Sequence, residues 1–226
     1  MTIQLPVLLT VRGSLAHPID QVRQAHNETA GSEAGIANAR SLGDLSHKVY
    51  APLTHDSLST ATDGELLFMD TWVAAEGIMK FFSNERVQQA SQLMFTDRVP
   101  TVWMAAEHSF HYGQPAPMGR DEEYVGLVRG PVGDPAKAIA TFAKGVQAGI
   151  SAARRRGCLS HSVWVKLPGP GDEGPVEVLG FERWFSREGM EEHYADAEAM
   201  APLRDVFSGR PDASMWQRGP GHWNEW

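Results

Sequence analysis

Two histidines stand at matching places in the chain, each directly after a serine. They are His47 in Leu45-Ser46-His47 and His161 in Leu159-Ser160-His161. Because an imidazole titrates near neutral pH, either residue can act as a general base toward a bound ligand. The alternative for both is a structural histidine whose ring is satisfied by a nearby hydrogen-bond partner.

A second pair of matching segments follows the two histidines. Asp70-Thr71-Trp72 corresponds to Glu182-Arg183-Trp184, and both segments close an apolar run. Each indole can form a flat wall for an aromatic ligand or fill the core. Arg183 can stabilise an anionic oxygen. Strand alternation places Arg183 opposite Trp184, however, which favours a salt bridge instead.

A third histidine lies on a helical segment. His193 follows Trp184 by nine residues, and Phe81 stands at the corresponding place after Trp72. We predict that His193 contacts a ligand and that Phe81 lines the matching site in the first half. A solvated helix face is the alternative for His193, because acidic residues surround it.

Metal and haem sites have weaker support. His108 and His111 have a His-x-x-His spacing, but no third ligand accompanies them, so no metal is predicted. His193 or His111 can offer an axial ligand to haem, although the chain has no Cys-x-x-Cys-His attachment motif.

These candidates lie within an internal repeat. Val11-Arg12-Gly13 matches Val128-Arg129-Gly130, and His111-Tyr112 matches His222-Trp223, in the same order as the segments above. In the first copy, the periodicity predicts strands at 3–13, 45–51 and 65–72, a last strand from Pro100, and helices at 19–42 and 74–94. In the second copy, it predicts strands at 123–130, 159–167, 176–184 and 212–217, with helices at 135–156 and 186–206.

The order β-α-β-β-α-β, present twice, is typical of ferredoxin-like domains, an α+β class with an antiparallel sheet. We predict two tandem ferredoxin-like repeats at 1–112 and 123–226, joined by a Gly- and Pro-rich linker at 113–122. The exposed face of each sheet must be covered. We therefore expect the two copies to form an intramolecular dimeric α+β barrel.

The stretch from Gly180 to Tyr194 resembles a strand-helix signature. The pattern Glu182-x-Trp184 followed by His193 is similar to that of the antibiotic-biosynthesis-monooxygenase and quinol-monooxygenase families of dimeric α+β barrels. The second half carries the whole pattern, whereas the first half has Phe81 in place of the helical histidine.

The resemblance implies an oxidoreductase, a cofactor-independent monooxygenase acting on a small aromatic phenol, quinol or polyketide-like substrate with molecular oxygen. We predict catalytic roles for His193, His161 and Trp184. Substrate contacts are predicted for four further residues: Trp72, His47, Arg183 and Phe81. A haem-binding or haem-transforming protein and a non-catalytic small-molecule binding protein are the alternatives.

Composition restricts the partners and the compartment. With 28 acidic and 20 basic residues, the net charge is −8, which disfavours nucleic acid. The apolar runs are too short to cross a bilayer, and the N-terminal run lacks a basic leader, so we expect no membrane partner and no signal peptide. The single cysteine, Cys158, favours a reducing cytoplasm. A homodimer is compatible with the sequence.

Overall fold

The computed structural model describes residues 5–118, 123–169 and 171–226 of the chain. These residues divide into two compact units. Unit 1 comprises residues up to Pro52, Thr62–Met104 and Gly219–Trp226, and unit 2 comprises Leu53–Ala61 and Ala105–Arg218. The C-terminal eight residues therefore belong with the first half of the chain. Of the predicted linker, residues 119–122 lie outside the described residues, as do the first residues of the predicted strand 3–13.

Unit 1 is an antiparallel sheet with four helices. Its elements are β1 (Val7–Leu15), α1 (Ile19–Glu28), α2 (Glu33–Ser41), β2 (Asp44–Pro52), β3 (Glu65–Trp72), α3 (Ala75–Phe82), α4 (Glu85–Met94) and β4 (Phe95–Ala105). The strands lie in the order β4-β1-β3-β2. The last strand begins at Phe95 and runs through Pro100, so the prediction of a start at Pro100 was wrong.

Unit 2 has the same strand order with one short addition. Its elements are β5 (Tyr112–Gly113), β6 (Tyr124–Pro131), α5 (Pro135–Arg155), β7 (Cys158–Lys166), β8 (Glu177–Trp184), α6 (Arg187–Ala195), α7 (Ala197–Met200), a 3-10 turn (Ala201–Leu203) and β9 (Asp212–Arg218). The order is β9-β6-β8-β7-β5, so a mixed α+β fold is present in both units. The first residue of the predicted linker, Gly113, belongs to β5, which pairs with β7.

Three predicted helices are each divided by a capping side chain. Ser32 accepts a hydrogen bond from the Gly35 amide and starts α2, and Asn84 starts α4 in the same way. Asp196 accepts from two amides and starts α7. Serine, asparagine and aspartate cap helix starts better than they continue a helix, because their short side chains bind nearby amides. The continuous helices predicted at 19–42, 74–94 and 186–206 were therefore wrong in this respect.

Glycines set how the helices meet the strands. Gly43 and Gly157 have φ angles of 99° and 104°, a left-handed conformation that lets the chain leave a helix and enter a strand. On the following helices, Gly77 and Gly189 pack against the carbonyls of Leu42 and Arg156 so closely that a Cβ atom would overlap them. In unit 2 this close approach positions α6, which carries His193.

Each unit has a buried core on its own sheet. In unit 2, Phe142 of α5 packs with Val163 and Val178, while Trp184 packs with Met190 and Met215. In unit 1, Trp72 and Trp103 are fully buried, and the indole of Trp103 donates to Thr10. None of the described helices is long and apolar enough to cross a membrane.

Candidate active site

Unit 2 contains a cavity of about 250 Å³ between its sheet and its helices. Apolar side chains from α5 and β6 form much of the wall, including Phe142, Val146, Ile150 and Leu127. The polar lining includes residues from β7, β8 and α6: His161, Glu182, His193 and Tyr194. An apolar hole with few polar groups is the usual form of a small-molecule site.

His161 and Glu182 face each other across β7 and β8. They are register partners, and Nδ1 of His161 lies 3.0 Å from a carboxylate oxygen of Glu182. The hydroxyl of Tyr194 donates to the other carboxylate oxygen at 2.6 Å. Gly126 of β6 leaves room for this tyrosine, since a Cβ atom at that position would overlap the Tyr194 hydroxyl.

The carboxylate fixes the tautomer of His161. Burial tends to raise the pKa of Glu182, but the hydrogen bond and charge of His161 outweigh this effect and hold the pKa below its ordinary value. An ionised Glu182 only accepts hydrogen bonds, so Nδ1 of His161 carries the proton. In the neutral tautomer that this hydrogen bond selects, Nε2 is an acceptor, and it is buried without a hydrogen-bond partner.

His193 supplies a second imidazole to the same cavity. It is 8% exposed, which excludes the solvated helix face, and its Nδ1 is buried without a partner. Burial lowers the pKa of His193. The ring packs on Trp184 with a centroid distance of 5.2 Å, which orients it. Two imidazoles thus meet an otherwise largely apolar space.

Trp184 and Arg183 do not line the cavity. Trp184 is fully buried behind His193. Arg183 lies on the opposite face of β8, where it forms a 2.5 Å salt bridge with Glu123. The salt bridge that strand alternation favoured for Arg183 is therefore present. Neither Arg183 nor Trp184 lies where it could contact a ligand in this cavity.

Unit 1 has a corresponding but larger cavity of about 610 Å³. His47 and Asp70 are register partners on β2 and β3, with Nδ1 and a carboxylate oxygen 2.5 Å apart. Here Nε2 of His47 is engaged, because Nε2 of His26 lies 3.0 Å away. The C-terminal Trp226 stacks on His47 at 4.7 Å. Nε2 of the strand histidine is thus blocked in unit 1, whereas it has no partner in unit 2.

Phe81 and Trp72 hold different places around the unit 1 cavity. Phe81 lines it, and its contact with a substrate stays a prediction, whereas Trp72 is fully buried and packs behind Phe81 at 5.6 Å. Trp72 therefore acts as core packing in this structure, the alternative that the sequence left open.

Burial perturbs the titration of the unit 1 cluster. Burial, and after it the neighbouring charge of His47, lowers the pKa of His26 to about 4. Burial also lowers the pKa of His47 to about 4. Burial, and after it the charge of Asp70, raises the pKa of Asp44 to about 8. The cluster therefore stays largely uncharged near neutral pH.

The raised pKa of Asp44 makes stability depend on pH. Between its ordinary pKa and about 8 the folded state binds more protons than the unfolded state, so this group lowers stability as pH rises through that window. Asparagine does not titrate, so Asp44→Asn should raise the free energy of unfolding by at least about 1 kcal/mol at a pH above 8. The gain should vanish near pH 4. Urea denaturation at both pH values checks this, and an equal gain at both would contradict it.

Sequence reasoning missed several residues of these sites. Tyr194 and Tyr112 line the unit 2 cavity, and Tyr112 stacks on His161 at 6.2 Å. Glu182 stood in the quoted motif without a role. His26 belongs to a polar run on α1, which differs from the corresponding part of α5, and that difference was the available signal.

The described residues do not fit a haem group. Haem needs a free imidazole nitrogen, room for a macrocycle and usually cations for its propionates. The unit 2 cavity offers the nitrogen, but at about 250 Å³ it is smaller than typical drug-sized pockets of roughly 300 Å³ or more, and no described lining residue is Lys or Arg. The unit 1 cavity is larger, but Nε2 of His47 is held by His26. Within the described ranges, no three metal-ligating side chains cluster.

Comparison with known proteins shows which solved structures share this fold. No family model matches the sequence, and no curated protein is significantly similar. Many solved structures are similar over most of the chain. An anthrone oxidase-like protein is 19% identical, covers 95% of this chain and 91% of its own, and gives a TM-score of 0.65. A candidate monooxygenase from Lactobacillus acidophilus NCFM is 11% identical, with 96% and 97% coverage and a TM-score of 0.58.

A third structure is a variant chlorite dismutase from Candidatus Nitrospira defluvii. It is 10% identical, with 97% and 93% coverage and a TM-score of 0.60. All three belong to the dimeric α+β barrel superfamily. The likeness shows that this chain shares their fold, and the chemistry rests on the cavity described above.

Proposed function

We propose that this protein is a cofactor-independent monooxygenase that oxidises a small phenol or quinol with molecular oxygen in the unit 2 cavity. One observation carries the proposal: Nε2 of His161 is a buried acceptor without a partner, and Glu182 holds the opposite side of the ring. A ligand with a hydroxyl group satisfies that nitrogen. His161 then serves as the general base.

The reaction begins with transfer of the phenolic proton to Nε2 of His161. Glu182 stabilises the imidazolium, as a carboxylate does in other acid-base dyads. The electron-rich phenolate passes one electron to oxygen, and the resulting radicals combine to a peroxide at the para carbon. Loss of water leaves a quinone. For 1-naphthol, one substrate and one oxygen give one 1,4-naphthoquinone and one water.

The size of the cavity limits the substrate. An apolar cavity of about 150 Å³ holds benzene, so about 250 Å³ suits one or two fused rings. Aromatic side chains such as Phe142 and Tyr112 line the space and favour a flat ring. The names of two structural neighbours, an anthrone oxidase-like protein and a candidate monooxygenase, agree with an oxidation reaction.

We also propose that the two halves arose by tandem duplication. Both units share the strand order and place a histidine opposite an acidic residue at equivalent positions. The boundaries at 1–112 and 123–226, the closed intramolecular barrel, the cytoplasmic location and a homodimer stay predictions.

Oxygen uptake tests the proposed function. Wild-type protein with 1-naphthol should consume oxygen in equal amounts to the quinone formed. His161→Phe keeps a ring against Tyr112 but removes the base, so the rate should fall by at least about 100-fold. His111→Phe is the matched control, because His111 lies outside the cavity lining and should leave the rate unchanged. Binding of 1-naphthol without uptake, or equal rates for wild type and His161→Phe, would refute the oxygenase.

A further inference from the structure

The equivalent histidines His47 and His161 have different neighbours on α1 and α5, the helices that follow β1 and β6. In unit 2, the ring next to His161 is Phe142 of α5, with a centroid distance of 6.3 Å, and a phenyl ring offers no hydrogen bond. In unit 1, the ring next to His47 is His26 of α1, which is fully buried. The difference between phenylalanine and histidine decides what Nε2 of each strand histidine can do.

The orientation of Asn27 sets the direction of the hydrogen bonds in unit 1. Its side-chain NH2 donates to the carbonyl of His222 at 2.9 Å. Its side-chain oxygen accepts from the backbone amide of Asn224, also at 2.9 Å. Both partners are backbone groups with fixed donor and acceptor roles. The side-chain amide of Asn27 therefore cannot exchange the places of its oxygen and nitrogen without losing both hydrogen bonds. The Asn27 oxygen is therefore the atom that faces Nδ1 of His26, 3.0 Å away.

The orientation of Asn27 determines where each proton lies in the row of hydrogen bonds that runs through His26 and His47 to Asp70. An oxygen acceptor requires that Nδ1 of His26 carries a proton, so Nε2 of a neutral His26 is an acceptor. Nε2 of His47 must then donate to it. A neutral His47 with its proton on Nε2 leaves Nδ1 as an acceptor, so Asp70 donates from its protonated carboxyl group.

The pair His47–Asp70 in unit 1 consequently holds one proton more than the pair His161–Glu182 in unit 2. With both imidazoles neutral, that proton rests on Asp70, and His47 donates the hydrogen that the two Nε2 atoms share. In unit 2, by contrast, Glu182 accepts from both His161 and Tyr194, and Nε2 of His161 has no partner, so a neutral His161 leaves it bare. Equivalent residue pairs thus have opposite polarity in the two units.

We infer that His26 determines which unit is active, by occupying Nε2 of His47 and removing the base from the unit 1 cavity. The statement that one unit is active rests on the proposed function, whereas the protonation pattern rests on hydrogen-bond geometry alone. The C-terminal segment supports it, since Asn224 and His222 orient Asn27 and Trp226 covers His47. His26 is a positioning residue that excludes a second catalytic site.

Nitrogen-15 NMR of the imidazoles in the full chain, without any substrate, tests the protonation pattern. We expect a proton on Nδ1 of His26 and on Nε2 of His47, and a bare Nε2 on His161. A bare Nε2 on His47, with the proton of His26 on Nε2, would overturn the inference. Because no turnover is involved, this result does not depend on whether the protein oxidises phenols.

Replacement of His26 tests the consequence. His26→Phe copies the ring found in unit 2, so His47 should shift its proton to Nδ1 and expose Nε2. Calorimetric titration with 1-naphthol under anaerobic conditions should then show a second bound molecule per chain. A folded His26→Phe protein that keeps a single site would contradict the inference, whereas failure of wild-type oxygen uptake would refute only the proposed function.

A second variant covers the case in which His26→Phe does not fold. In Asp70→Asn, the new amide can donate to Nδ1 of His47 as the protonated carboxyl does, so the His47 proton should remain on Nε2. A shift of that proton to Nδ1 would show that the Nε2 atoms of His26 and His47 do not hold it in place, and would overturn the inference.

Discussion

Replacing Glu182 by glutamine will lower the rate of 1-naphthol oxidation by about 100-fold or more. The glutamine amide can donate to Nδ1 of His161 while its oxygen keeps the hydrogen bond from Tyr194. His161 would then carry its proton on Nε2 and could no longer accept one. A neutral amide also fails to stabilise the imidazolium that proton transfer forms. Both effects act on the same step, so we expect the loss in kcat rather than in substrate affinity.

Asp70→Asn is the matched control for Glu182→Gln. The two acids hold equivalent register positions, and each contacts the Nδ1 atom of its strand histidine. We expect no change in rate for Asp70→Asn, because the unit 1 pair already holds the extra proton. Steady-state oxygen uptake by both variants separates the cases. Equal losses would mean that the units contribute alike, and unchanged rates in both would remove Glu182 from the mechanism.

Gly189→Ala will destabilise the protein by about 3 kcal/mol or more, because its Cβ atom would overlap the backbone carbonyl of Arg156. A backbone carbonyl at the end of α5 cannot turn aside as a flexible side chain can. The alternative is for α6 to move away from the sheet. That movement would also displace His193 and Tyr194, so any folded fraction should oxidise 1-naphthol more slowly.

Gly149→Ala provides the comparison for Gly189→Ala. Gly149 also lies within a helix, but nothing lies within 4 Å of a Cβ atom built there. Alanine favours a helix over glycine by up to about 1 kcal/mol, so this variant should be slightly more stable. Urea denaturation of both proteins measures the difference. Similar free energies of unfolding for the two variants would show that the α6 contact yields easily.

The two strand histidines could be predicted as a matched pair, because the repeated order of segments is a local signal. Their contacts with Asp70 and Glu182 were not predicted, because they depend on the register between two strands that a long connection separates. The main errors fell where short polar side chains cap helices, as at Ser32 and Asn84, since a periodic pattern runs on through such a residue.

The features that distinguish the units depend on distant contacts and could not be predicted. Trp226 stacks on His47, although most of the sequence separates the two residues. Nothing local in the sequence indicates that Asn27 is held by the backbone of His222 and Asn224. Trp184 matched the family pattern, yet its indole packs behind His193 rather than along the cavity wall. Packing of this kind is decided by the tertiary fold.

The absorbance spectrum of 1-naphthol bound to the protein near pH 7, without oxygen, tests the central claim most directly. If His161 takes the phenolic proton, wild-type protein will show the spectrum of bound naphtholate, and His161→Phe will show neutral naphthol. Neutral naphthol on the wild-type protein, or the same naphtholate spectrum on His161→Phe, would contradict the account.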